Sequence, residues 1–254
     1  YNQIPPPLSL RVNVMKTTKA ELLSQYPVFK PGIIGENAVM YCGEEGISEV
    51  EAYQAGLASV QDESGQLVSQ ILAPQPGERI LDMCAAPGSK TGHMAEMMNN
   101  DGTIVAVDVH PHRVKLLQQT LKRLEITNVK TVAYDSLKLR DLYPSESFDR
   151  ILLDAPCSGF GVIRRKPDIA LRVRPETLDE LITLQAKLLI EAVRLLKKGG
   201  TLVYATCTLN KKENDAQIKQ ICQLYPALRL LSEKTIFPHE FQSDGFYIAH
   251  LVKE

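Results

Sequence analysis

The stretch Arg79 to Glu96, RILDMCAAPGSKTGHMAE, constrains the fold more than any other part of the chain. Ile80 and Leu81 form the apolar run of a buried strand, Asp82 ends it, Pro87 and Gly88 make a turn, and a helical pattern starts at Lys90. A strand feeding a helix through a tight turn presents backbone N–H groups at the helix start, and small side chains let a ligand approach closely. Such a unit suits a nucleotide-type cofactor.

Strands and helices alternate after this unit, with short joints between them. Thr103 to Asp108 is an apolar strand ending in an acid, and Pro111 to Glu125 places Val114, Leu117, Leu121 and Leu124 at helical spacing. Val129 to Tyr134 is a third strand, followed by Asp135. Phe148 to Asp154 is a fourth, followed by APCSGFG. A long helix over Glu176 to Lys197 ends at Gly199 and Gly200, and Thr201 to Ala205 is a fifth strand, followed by TCT. Lys212 to Leu224 reads as a helix, with weaker strands around Leu228 to Leu231 and Tyr247 to Val252. Strands this apolar, separated by helices, predict an α/β fold with a mostly parallel sheet covered on both faces.

Ligands of such sheets bind at the carboxyl ends of the strands. From a chain with 30 acidic residues that rule selects Asp82, Asp108, Asp135 and Asp154, together with Cys84, Cys157 and Cys207.

The first 56 residues have a different texture, and a small α+β subdomain, RNA-binding or merely capping the sheet, is expected there, ahead of a catalytic domain over 57–254. Pro5 to Pro7 are a stiff lead-in, Leu8 to Val14 alternates like a strand, Thr18 to Gln25 reads as a capped helix, and Ala38 to Cys42 as a second strand. Next, Asp62 can cap a helix burying Leu67, Val68, Ile71 and Leu72, which Pro74, Pro76 and Gly77 stop.

Two phosphate-binding motifs fail on inspection. GSKT lacks the glycine that a phosphate loop needs before Lys90, since Ser89 stands there, and Gly88 is the only glycine of the turn before Gly92. An adenosine cofactor without phosphates fits better, gripped by acids in successive loops. Asp108 would accept from the ribose hydroxyls and Asp135 would read the adenine amino group. S-adenosylmethionine suits the arrangement, because its cationic sulfonium and amino group would meet Asp82 or Asp154.

The cysteines indicate the chemistry. Five of them lie far apart with no C-x-x-C pair, which predicts a reducing cytoplasm rather than a disulfide framework or zinc site. Histidines at no credible metal spacing, no apolar run of the ~18 residues a membrane helix needs, and no visible leader agree with a soluble, metal-free protein, a monomer by default. Cys157 in D-A-P-C-S-G and Cys207 in A-T-C-T sit in turns at the presumed ligand edge. A thiolate there could add to carbon 6 of a pyrimidine and make carbon 5 nucleophilic enough to take a methyl group. Spacing alone does not say which cysteine attacks.

MCAAPGSKT, LLDAPCSGFGVIRRKPDI and YATCTLNKKEN, in this order, resemble the Sun/Rsm/Nop family of RNA 5-methylcytosine methyltransferases. GVIRRKPDI is most similar to its RsmB branch, which modifies small-subunit ribosomal RNA in bacteria. The resemblance runs from PPPLSLRVN to the end and implies the Rossmann-like class I methyltransferase fold with seven strands. It implies that Cys84, Ala85, Ala86, Pro87, Gly88, Ser89, Lys90, Asp108, Asp135 and Asp154 contact S-adenosylmethionine. It further implies that Cys207 is the nucleophile, that Cys157 assists product release, and that Asp154 hydrogen-bonds the cytosine near N3. DNA cytosine methyltransferases use their P-C cysteine to attack, so this assignment rests on the resemblance. Ser89 departs from the family's commoner glycine, and the branch's amino-terminal helical RNA-binding domain is not among these residues.

RNA is the expected partner. A net charge of -1 excludes an evenly basic coat but not a basic face. Val162 to Pro175 carries Arg164, Arg165, Lys166, Arg172 and Arg174 against the single acid Asp168, and Arg11 and Lys16 could extend a groove. The target cytidine must be single-stranded or flipped, because carbon 6 is buried in a stacked helix. The rival readings are an RNA-binding or ribosome-assembly protein without chemistry, which would break the pocket or a cysteine, and a small-molecule methyltransferase, which would need neither the basic segment nor two cysteines.

Overall fold

The computed structural model describes residues 6–254 apart from the Arg172 side chain, so Pro5 and that side chain lie outside the described residues. The chain builds two sheets. The first is antiparallel and contains β1 (Leu8–Val12), β2 (Phe29–Pro31), β3 (Ala38–Tyr41) and β4 (Ala58–Val60) in the order β2-β3-β1-β4. Two short helices accompany it, α1 (Lys19–Gln25) and α2 (Glu51–Gln54). Thr18 and Glu21 close a reciprocal capping box at the start of α1, as S/T-x-x-E predicts.

This sheet runs past the boundary expected at residue 56. Ala58 pairs with Val12 and Val60 with Leu10, so the strand after the boundary belongs to the small sheet. Only three residues long, it carries too little alternation to be read from sequence. β2 escaped for the same reason.

The second sheet has seven strands. After α3 (Glu63–Leu72) come β5 (Arg79–Asp82), α4 (Ser89–Met97), β6 (Thr103–Asp108), α5 (Pro111–Arg123) and β7 (Val129–Ala133). Then follow β8 (Phe148–Asp154), α6 (Ile169–Arg172), α7 (Pro175–Leu195), β9 (Leu196–Thr206), α8 (Asp215–Leu224), β10 (Leu228–Ile236), α9 (Pro238–Phe241) and β11 (Phe246–Lys253). The order is β10-β11-β9-β8-β5-β6-β7. Strands β5 to β9 are parallel, and β11 runs antiparallel to both its neighbours. This is the α/β, Rossmann-like methyltransferase architecture, with the order reversing between β5 and β8, where a ligand crevice opens.

Alternation along each strand explains the two covered faces. Leu81, Val105, Ile151, Leu153, Leu202 and Tyr204 pack with Leu188, Leu189, Ala192 and Val193 of α7 and Ile218 and Ile221 of α8. Their neighbours Ile80, Ile104, Leu152, Val203 and Ala205 face the other way, onto Val68 and Leu72 of α3 and Met94 and Ala95 of α4.

Buried charge joins the small sheet to the large one. Arg11 of β1, 1% exposed, donates through Nε and Nη2 to Glu96 of α4 at 3.0 and 2.6 Å, and through Nη1 to Gln61 and to the Ser89 carbonyl. The RNA groove expected along Arg11 and Lys16 is therefore corrected: Arg11 is sealed in this pair, and Lys16 is bonded to Glu125 and the Ala55 carbonyl. A second anchor is Glu63 of α3, whose carboxylate accepts from the backbone N–H groups of Ile33, Ile34 and Gly35 at 2.6–3.0 Å.

Removing one member of a buried pair leaves the other charge uncompensated. Arg11→Ala is expected to lower the unfolding free energy by about 3–5 kcal/mol, measured by urea denaturation, whereas a loss under about 1 kcal/mol would contradict the role given to this pair.

Candidate active site

The carboxyl ends of β5, β6, β8 and β9, with the loop after β7, converge on one crevice. One side of it is a cavity of about 370 Å³ bounded by Cys84, Asp108, His110, Arg113, Asp135 and Leu184, among others. That volume falls in the range of small-ligand sites. Asp108 accepts from the His110 N–H at 3.0 Å and meets Arg113 Nη1 at 3.2 Å, while Arg113 Nη2 donates to the Ala86 carbonyl at 2.7 Å. Arg113 thereby ties the first turn of α5 to the turn after β5. No sequence motif marked it, since its partners are a carbonyl and an acid of other elements.

Gly88 makes that turn possible. Its φ is +106°, and a Cβ there would stand 2.6 Å from Leu117 Cδ1. Ser89 opens α4. Beside the turn, Asp82, Cys84, Ala85, Ala86, Pro87, Ser89, Lys90 and Asp154 surround a second, smaller recess, and Cys84 borders both spaces. The Cys84 thiol is pushed well up, first by burial and then by the surrounding carboxylates, and stays protonated.

Asp82, 1% exposed, accepts from Thr91 Oγ1 at 2.7 Å through Oδ2, while its Oδ1 has no partner. Burial pushes its carboxyl up to about 7. A buried acceptor without a donor, in the smaller recess beside Asp154, fits a cationic ligand such as the sulfonium and amino group of S-adenosylmethionine.

The sulfurs meet on the other side of Asp154. Cys157 Sγ and Cys207 Sγ are 3.3 Å apart, and Lys90 Nζ donates to Asp154 Oδ2 at 2.7 Å. Burial opposes the Lys90 ammonium, but Asp154 outweighs it and the lysine stays charged. The two thiols ionise unequally. The thiol of Cys157 donates to Cys207, which with the Lys90 charge brings Cys207 below the ordinary thiol range despite burial and Asp154. The same hydrogen bond and burial hold Cys157 well above it. Cys207 is thus the more readily ionised of the pair.

Lys90, placed by sequence only among the turn residues, therefore also acts on the thiolate. Short backbone links hold the loops: Gly161 N donates to the Cys207 carbonyl at 2.9 Å and Gly245 N to the Gly161 carbonyl at 2.8 Å. A side chain at Gly161 would collide with that Gly245 carbonyl.

The basic segment is less open than its composition suggests. Arg165 donates to Asp62 and Asp244, both at 2.8–2.9 Å, and to the Pro7 carbonyl, binding the loop after Cys157 to the small sheet's entry strand. Arg164 is also engaged. Lys166 and Arg174 are exposed, as are Lys211 and Lys212 after Cys207.

The arrangement matches known proteins along the whole chain. The chain is 41% identical to the probable ribosomal RNA small subunit methyltransferase B of Bacillus subtilis (strain 168), over 99% of its length and 61% of the relative. It is 40% identical to the probable ribosomal RNA small subunit methyltransferase B of Synechocystis sp., over 100% of its length and 61% of the relative. The chain therefore spans about three-fifths of the curated relatives it matches, 61% in each case. A crystal structure of a methyltransferase homolog protein from Pyrococcus horikoshii superposes with a TM-score of 0.89 at 29% identity, covering 100% of this chain and 88% of that one. A family model described as 16S rRNA methyltransferase RsmB/F matches residues 69–252. With this match, the chain belongs to the RsmB/F methyltransferase family, whose methyl donor is S-adenosylmethionine.

Proposed function

We propose that this chain methylates carbon 5 of a cytidine in RNA, in small-subunit ribosomal RNA, through a covalent bond between Cys207 and the pyrimidine. The observation that carries the reading is the pair of sulfurs 3.3 Å apart beside Lys90 and Asp154. Neither a silent binding protein nor a small-molecule enzyme explains two thiols in contact, one of them brought below the ordinary thiol range.

Asp108 and Asp135 would hold the adenosine, and the turn from Cys84 to Lys90 with Asp154 would face the methionine part. S-adenosylmethionine supplies an electrophilic methyl group and leaves as a neutral thioether. Cys207 Sγ adds to carbon 6 of the ring, and the displaced electron pair makes carbon 5 nucleophilic. Asp154 orients the ring near N3, where charge develops. After carbon 5 has taken the methyl group it loses its proton, the carbon 5–carbon 6 double bond reforms and Cys207 leaves. Cys157, the thiol that solvates the Cys207 sulfur, assists this departure. Exposed Lys166, Arg174, Lys211 and Lys212 would contact phosphates around the base. The small sheet of the first 60 residues would act as a cap beside the RNA path, and such a substrate places the work in the cytoplasm.

RNA containing 5-fluorocytidine cannot complete elimination, so it should give an adduct stable to denaturing electrophoresis with the wild type and with Cys157→Ser, and none with Cys207→Ser. Methyl turnover by Cys207→Ser should fall by more than about a thousandfold. An adduct that survives Cys207→Ser and vanishes in Cys157→Ser would reverse the assignment. With ordinary RNA, Cys157→Ser should accumulate a covalent complex that the wild type resolves.

The thiolate's stabilisation fixes a pH dependence. Because the Cys207 pKa is lowered, its reactive form appears at lower pH than that of an ordinary thiol, and losing either stabilising partner must move the midpoint upward. Iodoacetamide labelling of Cys207, followed by peptide mass spectrometry across pH, should show upward shifts in Cys157→Ala and Lys90→Met. Unchanged midpoints in both variants would contradict the electrostatic account.

A further inference from the structure

Cys157 and Cys207 lie on separate turns, and beneath both lies one carboxylate that the proposed reaction does not use. Glu213 is 0% exposed and has no cation within ion-pairing distance among the described residues. Its Oε1 accepts from the Ser158 N–H at 2.8 Å and from Gln185 Nε2 at 3.1 Å. Its Oε2 accepts from Ser158 Oγ at 2.6 Å and from Asn210 Nδ2 at 3.1 Å. Ser158 follows Cys157. Its hydroxyl also meets Thr208 Oγ1 at 2.8 Å, and Thr208 follows Cys207. Gln185 of α7 adds a bond from the same Nε2 to the carbonyl of Pro156, which precedes Cys157, at 2.9 Å.

Residues on both sides of Cys157, and the residue after Cys207, are thus referred to a single carboxylate. Burying an acid without a cation is costly unless every lone pair finds a donor, and four donors converge on this one. A position serving stability alone would be met as well by an apolar side chain. The directional network supplies registry between two turns whose sulfurs must lie within hydrogen-bond reach.

We propose that Glu213 is a positioning residue that sets the separation of the two sulfurs, through Ser158 on one turn and Thr208 on the other. Its consequence for turnover rests on the reaction proposed above, while its consequence for the sulfurs does not. Glu213→Gln keeps the size of the side chain but presents an amide NH₂ to donors on one side. Thr208→Val removes one link of the network without altering Glu213. Tyr204→Phe is a control, because Tyr204 bonds the Glu213 backbone carbonyl and not its carboxylate.

Two readouts are compared in the full chain, with thermal denaturation measured alongside. The first is oxidation by diamide, a diazene that takes two electrons and two protons from the thiols to become a hydrazine, followed by mapping of the Cys157–Cys207 disulfide. The second is methyl transfer to RNA, resolved into kcat and KM for S-adenosylmethionine. Glu213→Gln should slow both the intramolecular disulfide and kcat by about tenfold or more, with KM unchanged, because a buried donor left unpaired is worth that factor. Thr208→Val should slow both by less, and Tyr204→Phe should lower thermal stability with both rates within about twofold. Disulfide formation and kcat at wild-type values in Glu213→Gln, or losses matched by Tyr204→Phe, would overturn the proposal. If the wild type transfers no methyl group to RNA, the functional reading fails by itself and the oxidation rates still decide the role of Glu213.

Discussion

One buried ammonium makes the site tolerable. Asp82, Asp154 and the Cys207 sulfur crowd the ends of three neighbouring strands, where low dielectric magnifies the repulsion between any charges they carry. Lys90, on the first turn of α4, bonds Asp154 at 2.7 Å and lowers the cost of the Cys207 charge. At Asp82 burial and the Asp154 charge outweigh the Thr91 hydrogen bond and the Lys90 charge, and its pKa rises to about 7. The turn that would hold the cofactor therefore also carries the cation beside the Cys207 sulfur, so the same few residues would couple the two halves of the proposed reaction.

The sheet supplies the rest of the geometry. Parallel pairing of β8 with β9 brings Asp154 beside Ala205, and the two chains then leave the sheet as neighbouring turns. Beyond the last ladder bond short links hold those turns, among them Gly161 to the Cys207 carbonyl, Ser158 to Thr208, and Glu213 beneath both. Arg165 fastens the same loop to Asp62 and Asp244. The edge is tightly hydrogen-bonded where the sulfurs sit, while basic side chains stand exposed farther along the loops.

Much of this was legible in the residues because it depends on local pattern. Alternation along Ile80–Leu81 or Ile151–Leu153 announces which face each side chain covers, and acids after strand ends mark the crevice. Thr18 and Asp62 declare themselves as helix caps. The failures share a different cause. Arg11 and Arg165 look like solvated or RNA-facing charges until partners far away in sequence, Glu96 and Asp244, are brought against them. Glu213 lies within a run of lysines and polar residues that reads as surface, and only tertiary contact shows it fully buried. Strands β2 and β4 exist through pairing rather than through any intrinsic preference.

The central claim concerns one carbon atom. Small-subunit ribosomal RNA incubated with this protein and S-adenosylmethionine labelled in its methyl group can be digested to nucleosides and separated by chromatography. The account predicts that the label elutes as 5-methylcytidine. Label recovered in N4-methylcytidine, in a ribose-methylated nucleoside or in a purine would contradict it, because none of those products requires a thiolate beneath a pyrimidine ring.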